Sequence, residues 1–120
     1  MAHILLADDD SSTRDLVRRA LEQDGHVVRI AQDGTEALES LTGNASIDAL
    51  VSDIHMPGVD GIVLASKAIE IAPKLKILLM SGFPEELDRA KVLKPARLGL
   101  IAKPFTLEQI RAALRELLAA

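Results

Sequence analysis

Five short, mostly apolar runs, each followed by a longer stretch of helical periodicity, constrain this chain more than anything else in it. The runs are Ile4-Leu5-Leu6-Ala7, His26 to Ala31, Ala49-Leu50-Val51, Lys76 to Met80 and Leu100-Ile101-Ala102. A continuous apolar run, without polar alternation, reads as a strand buried on both faces. That pattern belongs to a parallel sheet with helices packed on either side. Right-handed crossovers then leave few topologies. The expected class is α/β: a five-stranded parallel sheet, doubly wound as (βα)5.

The intervening segments read as helices. Ser11 or Ser12 is placed to cap the first, in which Leu16, Val17, Ala20 and Leu21 share a face and Gly25 is the stop. Asp33-Gly34 is a turn signal before a short helix over Glu36 to Leu41. Pro57-Gly58 and Asp60-Gly61 mark a loop before a helix over Ile62 to Ile71, which ends ahead of Pro73. A weak helix is expected from Glu85 to Leu93, with Pro95 and Gly99 preventing its continuation. The whole stretch from Glu85 to Arg97 looks poor for stable helix. Leu107, Ile110, Leu114 and Leu117 form the inner stripe of a last helix that starts at Thr106.

Composition narrows the function. At 120 residues the chain has the size of one ordinary domain. With Phe83 and Phe105 its only aromatics and a net charge of −4, it lacks the stacking rings and basic surface of a nucleic-acid binder. There is no cysteine, so disulfides, thiolate chemistry and Cys-based metal sites are excluded. The N-terminus lacks the basic start and long apolar core of a signal peptide, and no run approaches the ~20 residues of a membrane span. The expectation is a cytoplasmic protein without membrane or direct nucleic-acid contact.

The chemistry lies in the polar residues at the strand ends. Asp8, Asp9 and Asp10 come after the first strand, Asp53 after the third, Ser81 after the fourth and Lys103 after the fifth. In a parallel sheet these residues collect beyond one edge, where open α/β sheets place their sites. Two carboxylates ~4 Å apart at an effective dielectric of ~20 repel by ~4 kcal/mol. Several can share a small cleft only with protons or a cation among them. An all-oxygen donor set suits Mg²⁺, and the scattered histidines argue against zinc. A carboxylate nucleophile, an ammonium and a hydroxyl around such a cation fit phosphoryl transfer to an aspartate, with Asp53 on the middle strand as the nucleophile. Each residue alone has an ordinary reading: Asp10 as a helix cap, Ser81-Gly82 as a turn, Lys103-Pro104 as exposed chain. Their common placement carries the weight.

The same residues resemble a known family. Ile4 to Asp10 is similar to the first strand and acid pair of bacterial receiver domains of two-component response regulators. Leu50 to Gly61, with its Met56-Pro57 and Asp60-Gly61 landmarks, is similar to their phosphoacceptor strand and loop. Leu78 to Gly82 and Ile101 to Phe105 resemble the hydroxyl-bearing strand end and the Lys-Pro-Phe segment. The likeness spans the chain, and its texture is similar to stand-alone CpdR-type regulators of alphaproteobacteria. It implies the CheY-like sheet order 2-1-3-4-5. It implies Mg²⁺ held by Asp9, Asp53 and the backbone carbonyl of His55, with Asp8 acting through a water. Lys103 would pair with Asp53 and then with the phosphoryl group, followed by a cis bond to Pro104, and Ser81 would move toward that group. The implied donor is a phosphohistidine on a sensor histidine kinase or histidine phosphotransfer protein. Leu100 departs from the family, standing where many receivers carry a switch Tyr or Phe; Phe83 is either a substitute or a core or loop-anchoring ring.

The resemblance implies a single receiver over residues 1–120 that assists its own phosphorylation and dephosphorylation without being an enzyme of turnover. It would signal by docking a protein target near the Ser81–Lys103 region and the last helix. Two other readings stand beside it. One is a haloacid-dehalogenase-like phosphatase, with Asp8 as nucleophile, Asp10 as acid, and Ser81 and Lys103 holding phosphate; a missing cap domain and the lack of a second acidic pair late in the chain count against it. The other is a pseudo-receiver binding module independent of phosphorylation, against which the complete set Asp8, Asp9, Asp53, Ser81 and Lys103 counts.

Overall fold

A computed structural model describes residues 1–43, 46–93 and 98–119. Strands and helices alternate along the chain: β1 His3–Ala7, α1 Ser11–Gln23, β2 Val27–Ala31, α2 Gly34–Gly43, β3 Ala49–Asp53, α3 Gly61–Ile71, β4 Lys76–Ser81, α4 Pro84–Ala90, β5 Leu98–Ala102 and α5 Leu107–Ala119. The five strands pair in parallel in the order β2-β1-β3-β4-β5, the expected doubly wound CheY-like sheet.

Side chains leave the strands alternately toward two cores. Ile4 and Leu6 of β1, Ala49 and Val51 of β3, and Leu78 and Met80 of β4 meet Val17, Ala20 and Leu21 of α1 and Ile110, Leu114 and Leu117 of α5. Leu5, Leu50, Ile77 and Leu79 face the other way, against Ala37 and Leu41 of α2 and Leu64, Ala65 and Ala68 of α3. The middles of the central strands β1, β3 and β4 are thus apolar because both faces are covered, and polar residues stand toward their ends. The edge strand β2 differs: Val27 and Arg29 are exposed, so this strand alternates where the sequence suggests a continuous buried run.

Helix ends are settled by side chains that hydropathy does not see. The cap of α1 is Asp10, not Ser11 or Ser12; its carboxylate accepts from Ser12 N–H at 3.4 Å and from the Thr13 hydroxyl at 2.6 Å. Leu16 is 47% exposed, so the buried face of α1 is Val17, Ala20 and Leu21. The Asp33 carboxylate accepts from Glu36 N–H, and Glu36 accepts in return from Gln32 N–H, which starts α2 at Gly34, two residues before the expected start. Gly25 (φ +85°) ends α1, as expected. The helix expected over Glu85 to Leu93 is seven residues, with Pro84 in its first turn. The stop at Pro95 and the end of the Glu85–Arg97 stretch lie outside the described residues.

One glycine fixes how α3 meets the sheet. A β-carbon on Gly61 would overlap the Asp53 carbonyl oxygen and lie 2.7 Å from the Ile54 α-carbon. The close approach lets Gly61 N–H donate to Ile54 C=O at 2.8 Å while Asp60 caps α3 through Ile62 and Val63 N–H. Gly61→Ala should therefore destabilise the protein by about 1–3 kcal/mol in urea denaturation. Gly43→Ala, whose β-carbon meets nothing within 4 Å, should cost nothing measurable.

Candidate functional site

The parallel sheet brings the expected residues to one edge. Asp8 and Asp9 leave β1, Asp53 ends the adjacent β3, Ser81 ends β4 beyond it, and Lys103 follows β5. Oxygen atoms of Asp8, Asp9 and Asp53 lie within 4.8 Å of one another. Asp8 is fully buried, Asp53 is 7% exposed, and Asp9 is open to solvent. Lys103 Nζ stands 3.1 Å from Asp53 Oδ2 and 3.9 Å from Asp8 Oδ2. Its backbone N–H donates to Ser81 C=O at 2.8 Å, anchoring the residue to β4, and the bond to Pro104 is cis.

One ammonium against three acids leaves the mouth of the sheet short of positive charge. Burial drives the Asp8 carboxyl up from 3.8 to about 6, against the pull of the Asp10 N–H and Lys103. Burial likewise raises Asp53, with Lys103 opposing and the charges of Asp9 and Glu86 adding to the rise. Asp8 Oδ1 accepts from Asp10 N–H at 3.0 Å, while Asp8 Oδ2 is buried with no hydrogen-bond partner among the described residues. A buried oxygen left without a partner is costly, and a cation in the cluster, or a water that it holds, would relieve that cost. The donors are all oxygens, the set favoured by Mg²⁺.

Asp10 stands apart from this group. Its exposed carboxylate is occupied in capping α1, so it offers no acid beside Asp8, and a fully buried Asp8 is a poor nucleophile for an ester from solution. These contacts weigh against the phosphatase arrangement. Phe83 is 51% exposed and therefore no core ring; its ring centroid lies 6.1 Å from that of His55. Leu100 is half-buried against the core on the α3 and α4 side.

Two further residues at this edge are not singled out by the sequence pattern. Arg14 Nη1 donates to Asp8 C=O at 3.0 Å, steadying the acid's backbone from α1. Glu86 accepts from the Ser81 hydroxyl at 2.6 Å and lies 3.6 Å from His55 Nδ1. A signal for Glu86 exists: Pro84 marks a helix start, and side chains in a first turn lean back toward the residues preceding the helix.

The Asp8 shift has a sign that stability can test. Its folded value lies above its unfolded one, so the stability it contributes is fully present below pH about 4 and is lost as pH rises through about 6. In metal-free buffer at pH 7, Asp8→Asn should be more stable than wild type by about 1–3 kcal/mol in urea denaturation, with the advantage gone near pH 4. A variant less stable than wild type at pH 7 would contradict the electrostatic account.

Comparison with known proteins places this chain in a family. Residues 4–115 match the response regulator receiver domain. The response regulator MprA of Mycobacterium sp. (strain KMS) is 36% identical over 115 residues, 96% of this chain and 50% of that protein. The sensor kinase CckA of Brucella abortus (strain 2308) is 33% identical over 118 residues, 98% of this chain and 12% of the kinase. The chain thus spans half of one relative and a small part of the other. The crystal structure of a response regulator receiver protein from Sinorhizobium medicae WSM419 superposes with a TM-score of 0.90 at 34% identity, covering 99% of this chain and 95% of that one. With its acids, hydroxyl and lysine at the carboxyl edge of a 2-1-3-4-5 sheet, this chain belongs to the receiver domain family of response regulators.

Proposed function

We propose that the chain accepts a phosphoryl group on Asp53 from a phosphohistidine of a sensor histidine kinase or histidine phosphotransfer protein. The observation that carries this reading is the position of Asp53. It ends the central strand, is slightly exposed, and lies between the acid pair of β1 and the Lys103 ammonium at 3.1 Å. Family membership supports it, and the kinship with a segment of a sensor kinase is in keeping with a phosphorelay.

In the transfer, an Asp53 carboxylate oxygen bonds to phosphorus while the phosphorus–nitrogen bond breaks, its electron pair returning to the donor imidazole. Lys103 turns from the carboxylate to a phosphoryl oxygen, and the Ser81 hydroxyl donates to another. Mg²⁺, held by Asp9, Asp53 and the His55 carbonyl, with Asp8 acting through a water, would supply the remaining positive charge. The chain is then a phosphoacceptor that assists its own phosphorylation and dephosphorylation, not an enzyme of turnover. With a receiver domain over residues 1–120 and in the cytoplasm, it would signal by docking a protein near the Ser81–Lys103 region and α5, and these residues would contact neither nucleic acid nor membrane. Among the described residues, no helix is long and apolar enough to cross a membrane.

Incubation with acetyl phosphate and Mg²⁺ should place a hydroxylamine-sensitive phosphoryl group on wild type and none on Asp53→Asn. EDTA should abolish the labelling, and Lys103→Ala should slow it by about 10²-fold. Labelling that survives Asp53→Asn unchanged would overturn the assignment. Target capture that ignores beryllofluoride would favour the phosphorylation-independent module.

A further inference from the structure

The hydroxyl of Ser81 is already engaged. Its one proton goes to Glu86 Oε1 at 2.6 Å, with the Phe83 carbonyl a longer alternative at 3.3 Å, and it accepts from Phe83 N–H at 3.0 Å. A hydroxyl has a single proton to donate. While Glu86 holds it, none is available to an oxygen above Asp53. The Glu86 side chain is only 15% exposed, with His55 Nδ1 3.6 Å from its second oxygen. A mostly covered carboxylate with a charge-assisted bond this short is a firm anchor.

Glu86 also belongs to the first turn of α4, whose other side-chain ties among the described residues are the following. Arg89 reaches Asp60 at 3.3 Å, Ala90 is buried, and Leu87 packs on the α3-side core. The Ser81 bond therefore ties the first turn of this seven-residue helix to the end of β4.

We propose that Glu86 is a latch on Ser81: it holds the hydroxyl away from the phosphorylation site in the unmodified protein and is displaced when Asp53 carries a phosphoryl group. The proposal rests on Asp53 being the phosphoacceptor. A phosphoryl group brings strong acceptors and negative charge. It competes with Glu86 for the Ser81 proton and repels the carboxylate, so α4 loses its anchor as the hydroxyl turns. Glu86 is a positioning residue here; it acts through Ser81 and touches no reacting atom. The device also needs no aromatic ring at Leu100, because the link from the site to α4 is polar.

The test is a double-mutant cycle read by amide NMR, with Mg²⁺ and beryllofluoride as the phosphoryl mimic. Glu86→Ala should tighten beryllofluoride binding about tenfold in the wild-type background, which is about 1.4 kcal/mol. In the Ser81→Ala background the same change should matter by no more than about threefold, because the latch has nothing to hold. Without beryllofluoride, the Phe83 and Leu87 amide signals of Glu86→Ala should lie displaced toward their positions in the bound wild type. Glu86→Gln, which keeps the shape and an acceptor, should give a smaller tightening that also depends on Ser81 and serves if the alanine variant folds poorly. Equal tightening in both backgrounds would make Glu86 merely a nearby negative charge and overturn the latch; weaker binding would do the same. Wild type that binds without such coupling defeats the latch alone, whereas wild type showing no beryllofluoride response at Asp53 defeats the phosphoacceptor reading with it.

Discussion

The structure turns on a shortage of positive charge at the mouth of a parallel sheet. Asp8, Asp9 and Asp53 bring oxygens within 4.8 Å of one another, and Lys103 is the cation paired with two of them. Such a group is not what a fold would assemble for stability. Burying ionised acids is unfavourable, and here it is unfavourable enough to hold the Asp8 carboxyl at about 6. The sheet imposes it: parallel strands all end on the same side, and the apolar runs that bury the strands leave no freedom in where the acids emerge. Stability comes from the two cores on either side of the sheet, and the electrostatically unfavourable edge is left for chemistry.

The surroundings of that edge hold it in place from several directions. Arg14 on α1 grips the Asp8 carbonyl. Gly61 lets α3 start directly against the Asp53 and Ile54 backbone, where any side chain would collide. Lys103 is fixed to β4 through the Ser81 carbonyl. The α4 side is different in kind. Its hold on the site runs through side chains, Ser81 to Glu86 and Asp60 to Arg89, which a change of charge can rearrange without disturbing either core. An acid cluster held by backbone contacts beside a helix held by side chains suits the proposed conversion of a charge added at Asp53 into a change of surface.

The sheet and the collection of Asp8, Asp9, Asp53, Ser81 and Lys103 were legible in the sequence because both follow from backbone direction. Fully buried strands announce themselves as apolar runs, and the residue after each run must sit at the common edge. Failures cluster where side-chain trajectory decides. Of the two cap readings for α1, Asp10 holds and the serines do not, since its carboxylate reaches both Ser12 N–H and the Thr13 hydroxyl. Leu16 matches the spacing of the buried face yet lies on its rim. Arg29 interrupts β2 because an edge strand has less to bury. Glu86 is hard to single out because a Glu in a weak, acidic helix start reads as solvated, and the one local signal, its place in the first turn after Pro84, does not by itself name Ser81 as its partner.

The central claim is that the acid cluster is held in an unfavourable charge state which a divalent cation relieves. Carboxyl-carbon NMR, following the Asp8 side chain against pH with and without saturating Mg²⁺, addresses it most directly. The account predicts a midpoint of about 6 in metal-free buffer, moving down toward the ordinary carboxylate range or below it once Mg²⁺ competes with the proton. An Asp8 that titrates as an ordinary exposed carboxylate, unmoved by Mg²⁺, would contradict it.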